Sequence, residues 1–239
     1  MALVLGLSYG ASGASAVLDL VKSLAATPVP LAHQVTTLYA PADSHPWLDV
    51  AYQLVGVVTE IVPVLLVAYL LVRSSESMAT LGANWRRPAD DARWGIGLAL
   101  VVGAVGLGLR LAANALGTNL QLVIGGSAHH WWTIAVLIVH SAATAIGEEV
   151  IVLGFCLHRL GQLGWGDRRA VAFSSVVRGS YHLYQGFGGG AANLVLGVFF
   201  GAIFLRRGRV APFIIAHFLI DAVSTVGYIE FHGRLGWLH

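Results

Sequence analysis

Residues 140–161 read HSAATAIGEEVIVLGFCLHRLG, a nearly continuous apolar stretch interrupted by two adjacent glutamates. The stretch overlaps an apolar run over 131–158, which is long enough to cross the hydrocarbon core of a bilayer as a helix. Carboxylates are costly in that setting and persist mostly where they face the interior of a helix bundle. The stretch therefore predicts a membrane helix whose two glutamates point into protein.

The composition of the whole chain agrees with a membrane protein. Of 239 residues, 56% are hydrophobic and only 11% are charged, and the mean hydropathy is +0.74. Soluble domains carry about a quarter charged residues, so this chain has too few charges to cover a water-facing surface. The arginines at 206–209 are interpreted as topology determinants, and we expect no nucleic-acid partner.

Apolar runs of about 20 residues recur along the chain. The candidate membrane spans are 2–22, 48–72, 94–115, 131–158, 169–186, 189–205 and 210–230. No soluble domain fits between them, so the sequence predicts an all-α, polytopic transmembrane bundle of about seven helices. We interpret 1–239 as a single helical membrane domain. Within it, the GxxxG spacing of Gly197 and Gly201 predicts close helix packing.

The loops between these spans differ in their content of basic residues. One side holds ten arginines: Arg73, Arg86, Arg87, Arg93, Arg159, Arg168, Arg169, Arg206, Arg207 and Arg209. The other side holds Lys22 and Arg234. Basic loops stay in the cytoplasm, so we expect a multi-pass protein of the plasma membrane with the N-terminus inside and the C-terminus outside.

Ionisable side chains also occur inside the predicted spans. Counting about 1.5 Å per helical residue from the nearest arginine of the basic side places Glu149, His182 and His217 at depths of roughly 15, 20 and 12 Å. Separate helices thus bring ionisable groups to overlapping depths. His217 and Asp221 lie four residues apart and share one helical face. A convergent cluster is expected, because each group alone would be unpaired in lipid.

The groups in this cluster can hydrolyse an amide. Neighbours on a helix point about 100° apart, so one of Glu148 and Glu149 acts as a base while the other orients a partner or pairs with Arg178. A histidine on a facing helix shares a water with the base. A second histidine, backed by a carboxylate, donates to the developing oxyanion.

Two other interpretations of the cluster remain open. Buried polar residues can serve helix–helix hydrogen bonding alone, in a non-catalytic scaffold or an immunity-type protein. A small transporter could use Glu148 and Glu149 as a proton relay. Transport is favoured by repeated halves or paired broken helices, and the sequence contains neither pattern.

Three motifs in chain order resemble the CPBP family, the CAAX-protease and bacteriocin-processing intramembrane peptidases. The usual signature of that family is EExxxR, FxxxH and Hxxx(N/D). The pair Glu148 and Glu149 matches the first motif, and His182 matches the histidine of the second. His217 and Asp221 match the third. Order, spacing and placement on separate apolar helices all agree.

The resemblance extends over about 131–230, which we interpret as a CPBP-like catalytic core. It implies an intramembrane endopeptidase, of the glutamate type or a metalloprotease. The implied substrate is a membrane-anchored peptide or protein in the bilayer, with prenylated ends as one option. By the same resemblance, Glu148 is the base that activates water with His182. His217 and Asp221 form the oxyanion side, and Glu149 supports the site.

The sequence departs from the family signature at two positions. Leu153 stands where the arginine of the first motif is expected, and Arg178 stands where the phenylalanine of the second is expected. We expect Arg178 to supply the charge that Leu153 lacks, and we consider it a candidate for binding substrate. A divalent metal such as zinc is an open question, since there is no HExxH. If a metal is present, we expect Glu148, His182 and His217 as its ligands.

Overall fold

The computed structural model describes residues 1–25, 29–125 and 131–231. The long helices of this part are α1 (Ala2–Ala25), α2 (Pro46–Arg73), α3 (Pro88–Ala115), α4 (Thr133–Gln162), α5 (Asp167–Tyr181), α6 (Phe187–Arg207) and α7 (Ala211–Phe231). Short 3-10 turns occupy Leu31–His33, Met78–Leu81 and Leu183–Gln185. The predicted bundle of about seven helices is confirmed.

The ends of the helices follow from local sequence. Prolines open α2 and α3 at Pro46 and Pro88, where a missing backbone N–H costs nothing. Gly208 ends α6 with a φ of 64°, a left-handed conformation that glycine adopts without strain. These signals place the boundaries within a few residues of those predicted from hydropathy.

Six of the described helices are long and apolar enough to cross a membrane, and α5 is the exception. The predicted span over 169–186 is therefore wrong in its length. The 15 residues of α5 rise about 22 Å, which is less than a hydrocarbon core of about 30 Å. The chain turns instead at Gly186, whose φ is 104° and whose absent Cβ would lie 2.6 Å from the Thr118 carbonyl oxygen. Consequently α5 ends inside the bundle.

Small residues let α5 and α6 approach closely. A Cβ on Gly197 would lie 2.8 Å from the Cα of Ser175, and one on Gly201 would lie 3.0 Å from Val171. The close packing predicted from the GxxxG spacing is thereby confirmed. The hydroxyl of Ser174 donates to the Val152 carbonyl oxygen at 2.6 Å, which ties α5 to α4 as well.

Helix α4 is the central element of the bundle. In α4, 67% of the most apolar window is buried inside the protein, against 33% or less in the other spans. Its middle, Glu149–Phe155, is π-helical and buried at every residue. Widened π turns occur frequently at functional sites. The two glutamates of the motif thus lie at the start of an irregular turn in the protein core.

A small parallel sheet was not predicted by the sequence. Strands β1 (Val35–Leu38) and β2 (Gln121–Ile124) pair from Val35 with Gln121 to Leu38 with Ile124. They lie in the connections α1–α2 and α3–α4, at the end of the bundle away from the arginine-rich loops. A bridge between Asn119 and Gly186 ties this end to the turn after α5. The sheet therefore covers the same end at which α5 stops.

Candidate active site

Ionisable side chains from α4, α5 and α7 meet in the interior of the bundle. Helix α4 supplies Glu148 and Glu149, α5 supplies Arg178, and α7 supplies His217 and Asp221. All of these residues except Arg178 were predicted catalytic residues. The structure brings them into one continuous set of ion pairs.

Glu149 is the most deeply buried member of the set. Its side chain is 0% exposed, and its Oε1 accepts hydrogen bonds from the Arg178 guanidinium and from Nδ1 of His217, the latter at 2.8 Å. A carboxylate in the protein interior is stabilised only when such partners are present. Its Oε2 has no hydrogen-bond partner among the described residues. Glu149 therefore joins α4 to both neighbouring helices.

His217 lies between two carboxylates. Its Nδ1 faces Glu149 at 2.8 Å, and its Nε2 faces Asp221 at 3.3 Å, one turn further along α7. Ionised carboxylates only accept hydrogen bonds, so both ring nitrogens must carry hydrogen when both acids are ionised. His217 is then an imidazolium. Its Nε2–H makes the longer contact and is therefore the more weakly held of the two donors.

Glu148 has a different environment from its neighbour. Its Oε2 accepts a hydrogen bond from the Tyr181 hydroxyl at 2.8 Å and lies 3.8 Å from the Arg178 guanidinium. The side chain is 7% exposed, against 0% for Glu149. Oε2 is thus fixed by its neighbours, and the side chain is less enclosed than that of Glu149.

His182 lies immediately after the last residue of α5. Its Nδ1 is 3.0 Å from the carbonyl oxygen of Arg178. Because a carbonyl oxygen only accepts, Nδ1 carries the hydrogen, and Nε2 of the neutral ring is left as an acceptor. The ring packs against Tyr181 with centroids 4.7 Å apart, and it lies within electrostatic range of Glu148. His182 thus presents an acceptor nitrogen within electrostatic range of Glu148.

Exposure differs among the members of the cluster, with its minimum at Glu149 and its maximum at Asp221. The side chains of Glu149 and Glu148 are 0% and 7% exposed, and those of His217 and Asp221 are 13% and 29% exposed. The cluster therefore opens at Asp221. Tyr39, the residue after β1, lies within electrostatic range of Asp221 and packs on His140 with ring centroids 5.0 Å apart. The opening faces the sheet end of the bundle.

The sequence reasoning assigned no role to three residues that surround the cluster. Tyr181 hydrogen-bonds Glu148, and the ring of Tyr9 packs on Tyr181 with centroids 4.8 Å apart. Glu60 of α2 lies close to Gly147 and within electrostatic range of Glu148. Tyr181 could have been suspected because it lies three residues after Arg178 on the same helix and next to His182. Tyr9 and Glu60 belong to helices outside the motifs.

Arg178 is placed where it can compensate the missing arginine of the first motif. Leu153 is buried among apolar residues, whereas the Arg178 guanidinium contacts Glu149 and lies 5.5 Å from the centre of the Phe200 ring. The predicted role in binding substrate stays a prediction. Burial against Glu149, with 3% of the side chain exposed, favours charge compensation.

One group of residues in the described ranges could hold a metal ion. Its members are Glu148, Glu149 and His217, whose candidate ligand atoms all lie within 4.8 Å of one another. The predicted ligand set contained His182 in place of Glu149. Both nitrogens of His217 face carboxylates and Arg178 pairs with Glu149, so a metal ion held by this group would displace one of those contacts.

Comparison with known proteins adds an independent observation. Residues 130–223 match the family model described as type II CAAX prenyl endopeptidase Rce1-like. This part of the chain is similar to that family. The match contains every motif residue named above and confirms the resemblance to the CPBP family. No curated protein and no solved structure matches the chain. At family level, the match supports a CAAX-type protease embedded in a membrane.

Proposed function

We propose that this protein is an intramembrane endopeptidase that hydrolyses a peptide bond with a water activated by Glu148 and His182. The observation that carries the proposal is the difference between the two adjacent glutamates. Glu149 is fully buried and bound on Oε1 by two cationic groups, whereas Glu148 is held on Oε2 by the neutral Tyr181 hydroxyl and its side chain is 7% exposed. The carboxylate that is less strongly neutralised and less enclosed is the one suited to act as a base on water.

In the first step, the water lies between Glu148 and His182. It donates one hydrogen to Oε1 of Glu148 and the other to Nε2 of His182, which leaves an oxygen lone pair for the substrate carbonyl. As the oxygen bonds to the carbonyl carbon, its proton passes to Glu148. Later Glu148 returns that proton to the departing amine as the carbon–nitrogen bond breaks.

His217 and Asp221 act on the oxygen of the scissile carbonyl. The 3.3 Å contact between Nε2 of His217 and Asp221 is long for a hydrogen bond between charged groups. The Nε2–H is therefore available to donate to the oxyanion as negative charge develops there. Glu149 and Arg178 hold the ring through Nδ1 and keep the donor in place.

The substrate that fits this site is a membrane-anchored peptide or protein, with prenylated ends as one option. The family match supports this class of substrate. The excess of arginines on one side supports an orientation with the N-terminus in the cytoplasm and the C-terminus outside the plasma membrane.

Proteolysis by the purified protein tests the proposal. Full-length protein in detergent or liposomes is incubated with fluorogenic lipidated and transmembrane peptides, beside folded Glu148→Ala and His182→Ala variants, with and without a chelator. We expect cleavage that both substitutions abolish and that the chelator leaves intact. Cleavage that survives both substitutions, or that is absent for every peptide, contradicts the proposal. Loss with chelator alone assigns the chemistry to a metal.

A further inference from the structure

Among the described residues, the outer edge of β1 carries backbone groups without a hydrogen-bond partner. The ladder bonds that flank the sheet run from the Gln121 N–H to the Gln34 carbonyl and from the Gly125 N–H to the Leu38 carbonyl. In a parallel pair, alternate residues bond across to the partner strand, so even-numbered residues of β1 face β2. The N–H and C=O groups of Val35 and Thr37 therefore point away from β2. Both residues are exposed, Val35 at 54%.

This edge leads directly to the opening of the candidate site. The chain leaves β1 at Leu38 and continues into Tyr39, which packs on His140 of α4. The Tyr39 side chain also interacts with Thr144, one helical turn before Glu148, and lies within electrostatic range of Asp221. Asp221 is the most exposed member of the cluster. A chain lying along β1 would pass from Val35 towards Asp221.

An exposed strand edge is a ready template for pairing with another extended chain. The backbone of a peptide substrate also requires hydrogen-bond partners. The carbonyls of a helical segment are hydrogen-bonded within the helix, so the segment must become extended before water can attack one of them. Pairing with a strand edge replaces the backbone bonds that unwinding removes.

We propose that the outer edge of β1 docks the extended segment of the peptide substrate and guides it past Tyr39 to Glu148. This inference rests on the proposed peptidase function. Backbone bonds to Val35 and Thr37 supply affinity without reading the substrate sequence. The four residues of β1 span about 13 Å, enough for one short extended segment.

Proline substitution at the edge tests the docking strand. Thr37→Pro removes the outward N–H and keeps the bonds to β2, because proline is tolerated on edge strands. The reference variant is Thr37→Ala, which removes the side chain and keeps that N–H. We expect KM for a cleaved peptide to be roughly fivefold higher in Thr37→Pro than in Thr37→Ala, with a smaller change in kcat. Val35→Pro and Val35→Ala form a second pair at the first residue of the strand.

Amide hydrogen exchange gives a readout that does not depend on cleavage. A peptide is added to the full-length Glu148→Ala protein, and we expect exchange at Val35 and Thr37 to slow by roughly tenfold or more. Equal KM values within both variant pairs, together with unchanged exchange, contradict the proposal that β1 docks the substrate. They leave the proposed peptidase function unaffected. A change of oligomeric state in the proline variants also overturns it, because a second copy then covers the edge. Failure of the wild type to cleave any peptide overturns the proposed function and this inference with it.

Discussion

Helix α4 carries two clusters of the same composition, each with one glutamate, one histidine and one arginine. The inner cluster joins Glu149 to His217 and Arg178. The outer cluster, at the arginine-rich end, joins Glu76 to His158 at 2.6 Å and to Arg159 at 2.9 Å. The side chains of the inner cluster are 0–13% exposed, and those of the outer cluster are 16–22% exposed.

The comparison shows that residue types alone do not identify a site. Partly exposed ion pairs contribute little to stability, whereas removing one partner of a buried pair leaves an uncompensated charge. The inner cluster also lies beside Glu148, a second buried carboxylate that Arg178 approaches to 3.8 Å, whereas the ion pairs of the outer cluster in the described residues contain only Glu76 as an acid. Burial together with a second carboxylate makes the inner cluster a candidate for catalysis.

The largest expected effect on stability comes from removing the inner arginine. Arg178→Leu leaves Glu149 buried without its main counter-charge. We therefore expect the free energy of unfolding to fall by about 3–5 kcal/mol and peptide cleavage to be lost. Thermal unfolding in detergent and peptide cleavage measure both. The matched variant Arg159→Leu in the outer cluster is expected to cost no more than about 1 kcal/mol. Full stability and activity in Arg178→Leu would disprove charge compensation.

A double substitution sharpens the same prediction. Leu153→Arg puts the arginine back at its place in the family signature, one helical turn after Glu149. We expect Arg178→Leu with Leu153→Arg to be more stable than Arg178→Leu alone, because a cation again lies near Glu149. Unfolding of the two variants side by side measures the rescue. Equal unfolding temperatures would mean that position 153 cannot reach Glu149.

A moderate effect is expected from the hydroxyl that holds Glu148. Tyr181→Phe keeps the ring that packs on Tyr9 and removes the 2.8 Å hydrogen bond to Oε2. We expect kcat to fall roughly tenfold with little change in KM, since a hydrogen bond to a charged group is worth about 1.5–3 kcal/mol. Tyr69→Phe, at an exposed position of α2, is the control. An unchanged kcat would show that Glu148 is positioned without Tyr181.

The smallest effect is expected in the outer cluster. Partial burial acts to raise the pKa of Glu76. The hydrogen bond and charge of His158, together with Arg159, outweigh this effect and hold the pKa below its usual range. A lowered pKa in the folded state stabilises the protein above the ordinary glutamate pKa, and this contribution is lost as the pH falls through the lowered value. Glu76→Gln should therefore lower the free energy of unfolding by up to about 1 kcal/mol at neutral pH and by less in acid. A cost that rises on acidification would contradict the pairing.

Hydropathy predicted most of the bundle because each span sums the preference of about 20 residues. The span over 169–186 was predicted too long. Helix α5 is partly polar, and Ser174 and Arg178 bond to other helices inside the protein, so hydropathy did not show where it ends. The cluster was predicted because isolated charges in a membrane need partners. The hydrogen bond of Tyr181 to Glu148 could not be predicted, since it depends on the contact between α4 and α5. The β1–β2 sheet was missed because each strand has only four residues and its partner is distant in the chain.

The central claim is that Glu148, and not the better-bonded Glu149 alone, performs the chemistry in the inner cluster. The most direct test is the turnover of a cleaved peptide by full-length Glu148→Gln, with Glu76→Gln as the matched control and unfolding temperatures recorded for both. We predict that Glu148→Gln loses roughly 100-fold or more in kcat while its unfolding temperature stays close to that of the wild type. Turnover by folded Glu148→Gln equal to that of Glu76→Gln would contradict the account.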